Sequence, residues 1–457
     1  LSFAKGKPLP RFIGWDADGD GILSESDLKI PFRIEGTDLI LDAIWLANQV
    51  SALERPLSWE LIQTGDFTIV PTLFRLVGEG RLEPEVMKAS SHLTGKQVTL
   101  SQGDLAGVTP SRWNRPVVDI PLQEIVWSGE KTIDEVRIIS RPIKILPGTR
   151  ILMKPGASLV FKNRVNIAGT VSAPVVVKSA VLGQNWGVLA FHGPKTTGSR
   201  VFNIQMEDGG EGKIDNIFYS AMLSIHESQG IHFKNLTMRK NTAVDDMMHV
   251  IYSKNIIIED SVFIDAFADA LDLDISNATV RNCQFLNSGN DAIDLMSSEV
   301  LITDSELSSS GDKGVSVGED SRAMIYNTRI NKNSIGVESK DASISCLINS
   351  LFENNKTQIN ASVKNWRYGT GGSAIADKSI FISSNNRFSA DKNSNIRVID
   401  SSINPMIANL GPQVLVDRAS DNSSGDQARL NGYDFACMNM LDKWKLKSKG
   451  SIRGIIQ

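Results

Sequence analysis

The chain has 457 residues, of which 41% are hydrophobic and 22% are charged, a composition that excludes a disordered protein. The formal net charge of −4 provides no basic footprint and argues against nucleic acid as a partner. No run of about 18 apolar residues is present, so no transmembrane helix is predicted.

The first predicted element is a calcium loop near the start of the chain. The segment DADGDGILSESD fits the twelve-residue EF-hand loop, with acids at the first, third, fifth and last positions and a glycine that permits a sharp turn. The predicted Ca²⁺ ligands are Asp16, Asp18, Asp20, the backbone carbonyl of Ile22, Ser24 and Asp27. Asp27 stands where glutamate is usual, which favours weaker Ca²⁺ binding or Mg²⁺. An acid-rich turn without metal is the alternative.

Three regions are expected. Residues 1–115 form an N-terminal region of mixed or helical structure, because apolar residues from Thr37 to Ala52 recur closer to period 3.6 than to period 2. Residues 116–415 contain short β-rich runs that alternate with Gly, Asn, Asp and Ser turns. Residues 416–457, where this pattern fades, are expected to form a C-terminal cap or tail, since an open sheet end exposes strand edges.

An internal repeat defines the central region. An Asn or Asp is followed three residues later by a bulky apolar residue, with steps of 25, 22, 22, 23 and 22 residues, at Asn235, Asp260, Asn282, Asp304, Asn327 and Asn349. Three short strands and three corners fit in about 22 residues, so the period predicts an all-β, three-sided parallel β-helix. We expect the Asn and Asp side chains to form a hydrogen-bonded ladder at one corner, with apolar residues stacked inside. A leucine-rich repeat has a similar period, but its recurring L-x-x-L-x-L frame is absent.

The run from Asp269 to Glu319, which begins DALDLDISNATVRNCQF, resembles the right-handed β-helix domains found beside spore-coat-kinase homologues and in bacterial polysaccharide-related proteins. The upstream segments PGTRILMKPGASLVF and NWGVLAF are similar to the first coils of such domains. This pectate-lyase-like superfold includes lyases, polygalacturonases, epimerases, phage tailspikes and non-catalytic adhesins, so the resemblance implies a fold and not one activity. The Asn-Thr-Asp and Gly-His-Gly motifs of polygalacturonases and the Asp-Pro-His-Glu motif of alginate epimerases are absent.

Alignment of the coils predicts two acidic columns on one outer face. Side chains alternate along a strand, so residues between the inward Leu271 and Leu273, and at the same place in later coils, point outward. One column contains Asp272, Asp294, Ser316 and Glu338, and its neighbour contains Asp269, Asp291 and Lys313. The preceding coil offers Asp246 and His249 at matching places.

Three interpretations of these columns remain open. In the first, they form a catalytic site for a polysaccharide, with Asp269, Asp272, Asp291 and Asp294 as carboxylates and His249 or Lys313 as base. The carboxylates then act as acid and nucleophile of a retaining glycosidase, or hold a uronate with Ca²⁺ for β-elimination or epimerisation. In the second, they bind Ca²⁺ structurally or bind glycan without chemistry. In the third, they are solvated turn residues.

Other polar and sulfur-containing residues give weaker signals. Trp366, Arg367 and Tyr368 lie in a loop and either form an aromatic platform that binds sugar or anchor the loop on the solenoid. The three cysteines match no zinc pattern, and Cys283 and Cys346 are expected to be small buried side chains in strands.

These observations predict a secreted carbohydrate-active protein that binds Ca²⁺ and acts on a polysaccharide as a lyase or glycoside hydrolase. The alternative is a non-catalytic β-helix that serves as an adhesin or glycan-binding component. Because the chain begins at Leu1, we expect either a removed signal peptide or a fragment. We expect an extracellular or cell-surface location, with the periplasm as an alternative, and either a monomer or a trimer.

Overall fold

The computed structural model describes residues 1, 3–5, 9, 13–15, 28–29, 32–41, 62–64, 67–69, 76–78, 88–90, 97–98, 124–241, 245–384, 386–405, 412–417, 432–444 and 446. The chain divides into two compact units, residues 1–119 and 120–457. No helix among the described residues is long and apolar enough to cross a membrane.

The described part of the first unit consists of short antiparallel strands. They are Ile13–Trp15, Leu28–Lys29, Phe32–Glu35, Asp38–Leu41, Ile62–Thr64, Phe67–Ile69, Leu76–Gly78, Ala89–Ser90 and Gln97–Val98. The central strand Ile13–Trp15 pairs with Leu28–Lys29 on one side and Leu76–Gly78 on the other. The predicted calcium ligands, Asp16 to Asp27, lie outside the described residues.

The predicted helix from Thr37 to Ala52 is wrong where the structure describes it. Asp38–Leu41 is a strand that pairs with Phe32–Glu35 across the two-residue turn of Gly36 and Thr37, and Gly36 has a φ of +66°. Glycine adopts this left-handed conformation without steric cost, and such turns close hairpins. A short apolar run such as Leu39 to Leu41 fits a strand as well as a helix, so periodicity alone misassigned it. Residues 42–52 lie outside the described part of the chain.

The second unit is a parallel β-solenoid in which each coil contributes one strand to each of three faces. The first face has 11 described strands, Arg137–Ile139, Leu159–Phe161, Leu189–His192, Ala221–His226, Asp246–Ile251, Asp269–Asp274, Ile293–Met296, Lys313–Gly318, Ile335–Lys340, Thr357–Ser362 and Phe388–Ala390. They pair in parallel in this order, so the β-helix predicted from the 22-residue period is confirmed.

The second and third faces are joined into one sheet by two long strands, Arg200–Glu207 and His232–Arg239, that serve both faces. The other strands of the second face are Ile125–Trp127, Ile143–Ile145, Val165–Ala168, Ile256–Glu259, Asn277–Arg281, Glu299–Thr303, Arg322–Tyr326, Ile344–Ile348, Ser373–Asp377, Asn395–Ile399 and Val414–Asp417. Those of the third face are Glu130–Ile133, Arg150–Met153, Val175–Ser179, Val262–Ile264, Gln284–Leu286, Glu306–Ser308, Arg329–Asn331, Leu351–Glu353, Ile380–Ile382 and Ser402–Asn404.

The repeated Asn and Asp residues occupy one corner between the second and third faces. All six have φ values between 50° and 55°, in the left-handed region that Asn and Asp tolerate better than most residues. Asn282 Nδ2 donates to Asp260 Oδ1 at 2.7 Å, and Asn349 Nδ2 donates to Asn327 Oδ1 at 3.2 Å. Inside the same coils, the rings of Phe263 and Phe285 stack with their centroids 4.7 Å apart. The predicted ladder and its apolar interior are confirmed.

A C-terminal helix, α1 (Gly432–Lys443), packs on the outside of the second face. Its Met440 joins an apolar cluster that is separate from the solenoid core and includes Leu301, Met324 and Ile375. Cys437 of α1 forms a disulfide with Cys346, whose Cα lies 5.7 Å from that of Cys437. The described part of the predicted cap therefore covers a side of the solenoid. Cys346 is cross-linked and not merely a small buried side chain, whereas Cys283 is free and buried as predicted.

Candidate functional site

The strand register of the first face places the predicted acidic residues in line. The central column consists of outward residues that pair from one strand to the next, Val160, Ala190, Ser224, His249, Asp272, Asp294, Ser316, Glu338 and Asn360. The leading column lies at the corner where each strand begins and contains Asp246, Asp269, Asp291 and Lys313. Parallel strands lie about 4.8 Å apart, so carboxyl groups on successive coils are close neighbours. The structure therefore brings all the predicted acidic residues together with His249 and Lys313.

Two acids of the leading column, Asp269 and Asp291, also support the next coil. Asp269 Oδ1 accepts hydrogen bonds from the backbone N–H of Asp291 at 2.7 Å and from Asn290 Nδ2 at 2.8 Å. Asp291 Oδ1 in turn accepts the backbone N–H of Lys313 at 2.8 Å, and Lys313 Nζ lies 3.5 Å from the same oxygen. These carboxyl groups are therefore structural corner residues as well as candidates for chemistry.

Burial makes several of these carboxyl groups hard to ionise. It raises the pKa of Asp246 to about 7, that of Asp269 to about 6 and that of Asp291 to about 7, although hydrogen bonds and nearby cations oppose the rise. The pKa of Asp272 is raised well above its usual value by burial and then by Asp274 and the other surrounding carboxylates. Burial alone lowers the pKa of Lys313, but Asp291, Asp312 and Glu338 outweigh it and raise the pKa. The site therefore holds protons on some carboxyl groups at neutral pH.

His249 contacts Ser220, a residue that the sequence did not indicate, as well as Asp272 and Asp274. Its Nδ1 lies 2.9 Å from the hydroxyl of Ser220, which also donates to Asp246 Oδ2 at 2.8 Å. On the other side, His249 Nε2 lies 3.3 Å from Asp274 Oδ2 and 3.6 Å from Asp272 Oδ2. Strand alternation after Asp272 predicts that Asp274 points outward, so that residue was detectable. Ser220 precedes its strand and carries no comparable signal.

Two further histidines and a tyrosine lie beside His249. His192 and His226 pair on neighbouring strands, their rings stack at 5.6 Å, and Tyr219 Oη lies 2.7 Å from His192 Nδ1. Burial, with nearby cationic groups, lowers the pKa of His192 to about 4 and that of His226 to about 3. Both imidazoles are therefore neutral at pH 7, and this edge of the site is aromatic.

Three groups of side chains in the described part of the chain have ligand atoms within 4.8 Å of one another and could hold a cation. They are His249, Asp272 and Asp274; Asp245, Asp246 and Asp269; and Asp269, Asp291 and Asp294. Carboxylate oxygens suit hard cations such as Ca²⁺, and the first group adds an imidazole nitrogen.

The predicted aromatic loop follows the first-face strand Thr357–Ser362. Trp366–Tyr368 forms a short 3-10 turn in which Trp366 is 80% exposed and the Arg367 guanidinium lies 5.9 Å from the Trp366 ring centroid. Burial raises the pKa of Tyr368, and Ser297, three coils earlier at the end of the strand that carries Asp294, is among the groups that affect it. The loop therefore presents one exposed aromatic ring next to the first face.

A pH-dependent stability follows from the buried acids. The pKa of Asp269 is about 6 in the folded protein and near 3.9 in an unfolded chain. Between these values the folded state retains a proton that the unfolded state has lost, so this group lowers stability as pH rises from about 4 to about 6. The amide oxygen introduced by Asp269→Asn can still accept both hydrogen bonds. We expect this variant to be more stable than wild type by about 1–3 kcal/mol at about pH 8, and to lose that advantage near pH 4.

Urea denaturation at the two pH values, with chelator present, measures this difference. The matched control is Asp265→Asn, since Asp265 is exposed and its neighbour Asn287 donates to it in a similar way. An Asp269→Asn advantage that is equal at both pH values would contradict the assignment of the effect to this carboxyl group.

The comparisons with known proteins agree with the architecture. Residues 274–410 match the family model for the right handed beta helix region. The solenoid is a right-handed parallel β-helix of about 22 residues per coil. No curated protein matches the chain. The association with spore-coat-kinase homologues stays a prediction.

Several solved structures are similar to this β-helix protein. An alginate lyase from Paenibacillus sp. str. FPU-7 is 12% identical, with 55% of this chain and 93% of that chain covered and a TM-score of 0.34. The periplasmic alginate epimerase AlgG is 11% identical, with 67% and 81% covered and a TM-score of 0.42. The Dettilon tailspike protein is 7% identical, with 64% and 61% covered and a TM-score of 0.44.

Proposed function

We propose that this β-helix protein is a glycoside hydrolase that cleaves a polysaccharide at the first face. The proposal rests on the pair Asp272 and Asp294. They occupy paired positions on adjacent strands, point outward and are partly exposed, so a glycan can reach both. Their spacing of about one strand separation is close to the 5–5.5 Å found between the two carboxyl groups of retaining glycosidases.

The environment of the pair gives its members different roles. The raised pKa of Asp272 keeps it protonated, as a general acid requires. Asp272 donates its proton to the glycosidic oxygen while Asp294 attacks the anomeric carbon, so the glycosidic bond breaks and a glycosyl ester forms. Asp272 then removes a proton from water, which displaces Asp294 and restores both groups with the original anomeric configuration.

The surrounding carboxyl groups favour this reaction over one with an anionic intermediate. The transition state of glycoside cleavage carries positive charge on the sugar ring. Asp269, Asp274 and Asp291 surround the pair, and whatever negative charge they hold stabilises that charge. Lys313 limits the repulsion among them by its contacts with Asp291 and Glu338.

A uronate lyase or epimerase is the second candidate, and the position of His249 favours it. His249 Nε2 faces two carboxylate oxygens, and a cation held by His249, Asp272 and Asp274 or by the neighbouring groups would neutralise a bound uronate. Neutralisation makes the proton at C5 acidic enough for His249 to remove when the neighbouring carboxyl groups hold the cation. Lys313 is the weaker candidate base, because its raised pKa keeps it protonated. A glycan-binding β-helix without chemistry uses the same surface.

Incubation with a panel of neutral and uronate polysaccharides, with and without chelator, tests the proposal. A retaining hydrolase releases reducing ends whose first-formed anomer, followed by nuclear magnetic resonance, matches that of the substrate. Ultraviolet-absorbing unsaturated products, lost with chelator, would instead establish the lyase. Glycan retention without any product would establish the binding protein.

We also propose that the aromatic loop contributes to glycan binding. Trp366 is largely exposed beside the first face, and flat apolar ring surfaces suit the apolar faces of sugars. Arg367, whose guanidinium lies 5.9 Å from the Trp366 ring centroid, and Tyr368 supply hydrogen-bond donors next to this ring.

We propose that residues 16–27 bind Ca²⁺. The EF-hand-like spacing supports this, and the described residues that flank the segment, Trp15 and Leu28, pair with each other. We expect Ca²⁺ to raise the free energy of unfolding by RT ln(1 + [Ca²⁺]/Kd), and with it the melting temperature, and we expect Asp16→Ala with Asp20→Ala to remove the increase. Thermal denaturation of wild type and of this variant, with and without Ca²⁺, measures the increase in melting temperature. An increase that persists in the variant would place the cation elsewhere.

We propose that the protein works outside the reducing cytoplasm. The Cys346–Cys437 disulfide supports this, because disulfides persist in secreted, surface and periplasmic proteins and are rare in the cytosol of mesophiles.

A further inference from the structure

A hairpin from the same unit covers the upstream end of the first face. Its strands Gly212–Ile214 and Ile217–Tyr219 pair antiparallel just before the face strand Ala221–His226, and we call residues 212–219 the end hairpin. The inner side of the end hairpin packs on Val160 and Ala190, the outward residues of two earlier coils. These two side chains are apolar where later coils carry polar groups, as expected for a surface that is permanently covered.

Exposure along the central column increases from the end hairpin as far as Asp272. Val160, Ala190 and Ser224 are 0% exposed, and His249 is 8% exposed. The side chain of Asp272 on the next coil is 19% exposed. Beyond it, Asp294, Glu338, Asn360 and Ser389 are partly exposed. Ser316, between Asp294 and Glu338, is 0% exposed and accepts a hydrogen bond from Lys340 Nζ at 2.9 Å. The face is therefore closed on one side of Asp272, whereas on the other side it carries partly exposed polar residues interrupted by the buried Ser316.

The closed side has an aromatic wall. Tyr219, at the end of the hairpin, lies 4.6 Å from the His226 ring, measured between centroids, and contacts His192 through its hydroxyl. Tyr219 is 1% exposed, and both histidines are held neutral by burial. The packing of these three rings, with the hydrogen bond between Tyr219 and His192, closes this end of the face.

The distance from the wall to the candidate catalytic pair is short. Ser224, His249 and Asp272 are successive residues of the column, so two strand separations, about 10 Å, lie between the covered coil and Asp272. That length accommodates about two sugar rings and not a continuing polymer.

We propose that the end hairpin makes the protein act on the end of a glycan chain, with the terminal sugars between the wall and Asp272 and the rest of the polymer along the downstream coils. The inference rests on the proposed hydrolase and assigns its mode of cleavage. It predicts short products of one length, released without a rapid fall in polymer viscosity.

The test compares reducing ends, viscosity and product lengths during digestion of the polysaccharide that the panel identifies as the substrate. For wild type we expect one short product from the first minutes and little loss of viscosity. A broad ladder of oligosaccharides with rapid loss of viscosity would overturn the inference while leaving the hydrolase intact. Absence of reducing ends from every polysaccharide of the panel would overturn both.

A hairpin variant provides the second arm. Replacement of residues 213–218 by Asn-Gly removes the cover, and we expect the viscosity loss per reducing end to rise several-fold as internal cleavage begins. Phe218→Ala is the matched control, because Phe218 is 54% exposed and its loss leaves the cover in place. Wild type can be tested without the truncated variant on oligosaccharides labelled at the reducing end. Attack at one terminus yields a single short product, which carries the label if that terminus is the reducing end and lacks the label if it is the other end.

Discussion

Asp272→Asn should lower kcat/KM on the polysaccharide by about 10²- to 10⁴-fold, the contribution usual for a positioned general acid. The amide has nearly the same shape as the protonated carboxyl group but cannot transfer a proton. Removal of an acid that is surrounded by other carboxyl groups leaves stability unchanged or higher, so the loss will not reflect unfolding. Initial rates of reducing-end release, with the melting temperature of each variant, measure the effect.

The roles of the two carboxyl groups separate in a companion experiment. A substrate with a good leaving group needs little protonation, so we expect it to restore much of the rate of Asp272→Asn and none of the rate of Asp294→Ala. Azide should instead rescue Asp294→Ala by attacking the anomeric carbon in place of the carboxylate. The matched control is Asp320→Asn, since Asp320 is exposed and pairs with Arg322 away from both columns. Near-wild-type turnover of Asp272→Asn would remove this residue from the chemistry.

Cys437→Ser should destabilise the second unit by about 2–4 kcal/mol. The Cys346–Cys437 bond closes a loop of 91 residues and therefore restricts the unfolded chain strongly. In the folded state it fastens α1 over Leu301, Met324 and Ile375, which are otherwise exposed to water. The shift of the urea midpoint measures the change.

The same bond offers internal controls. Cys346→Ser and the double variant should match Cys437→Ser, because all three remove one cross-link and such effects are not additive. Reduction of wild type should reproduce them. Alkylation of the unfolded, unreduced protein should modify only Cys283. Modification of all three cysteines would contradict the cross-link.

Much of the solenoid could be predicted from residues alone. The corner ladder from Asn235 to Asn349 recurs because every coil meets the same backbone conformation and the same neighbour one strand away. The register of Asp272 with Asp294 was predictable for the same reason, since inward leucine and isoleucine residues define which side chains point out. What these carboxyl groups do was not predictable, because exposure and ionisation depend on what else packs against the face.

The period of about 22 residues, the strand alternation and the acidic columns follow from the sequence by itself, because each is a local pattern repeated at one spacing. The tertiary structure decided the rest. Ser220 meets Asp246 and His249, the end hairpin covers Val160 and Ala190, and α1 reaches Cys346 from 91 residues away. None of these contacts repeats from coil to coil, and each joins segments whose approach depends on the folded path of the whole unit. The repeat therefore predicts the acidic columns, but the elements that interrupt the repeat determine which residues of these columns are exposed.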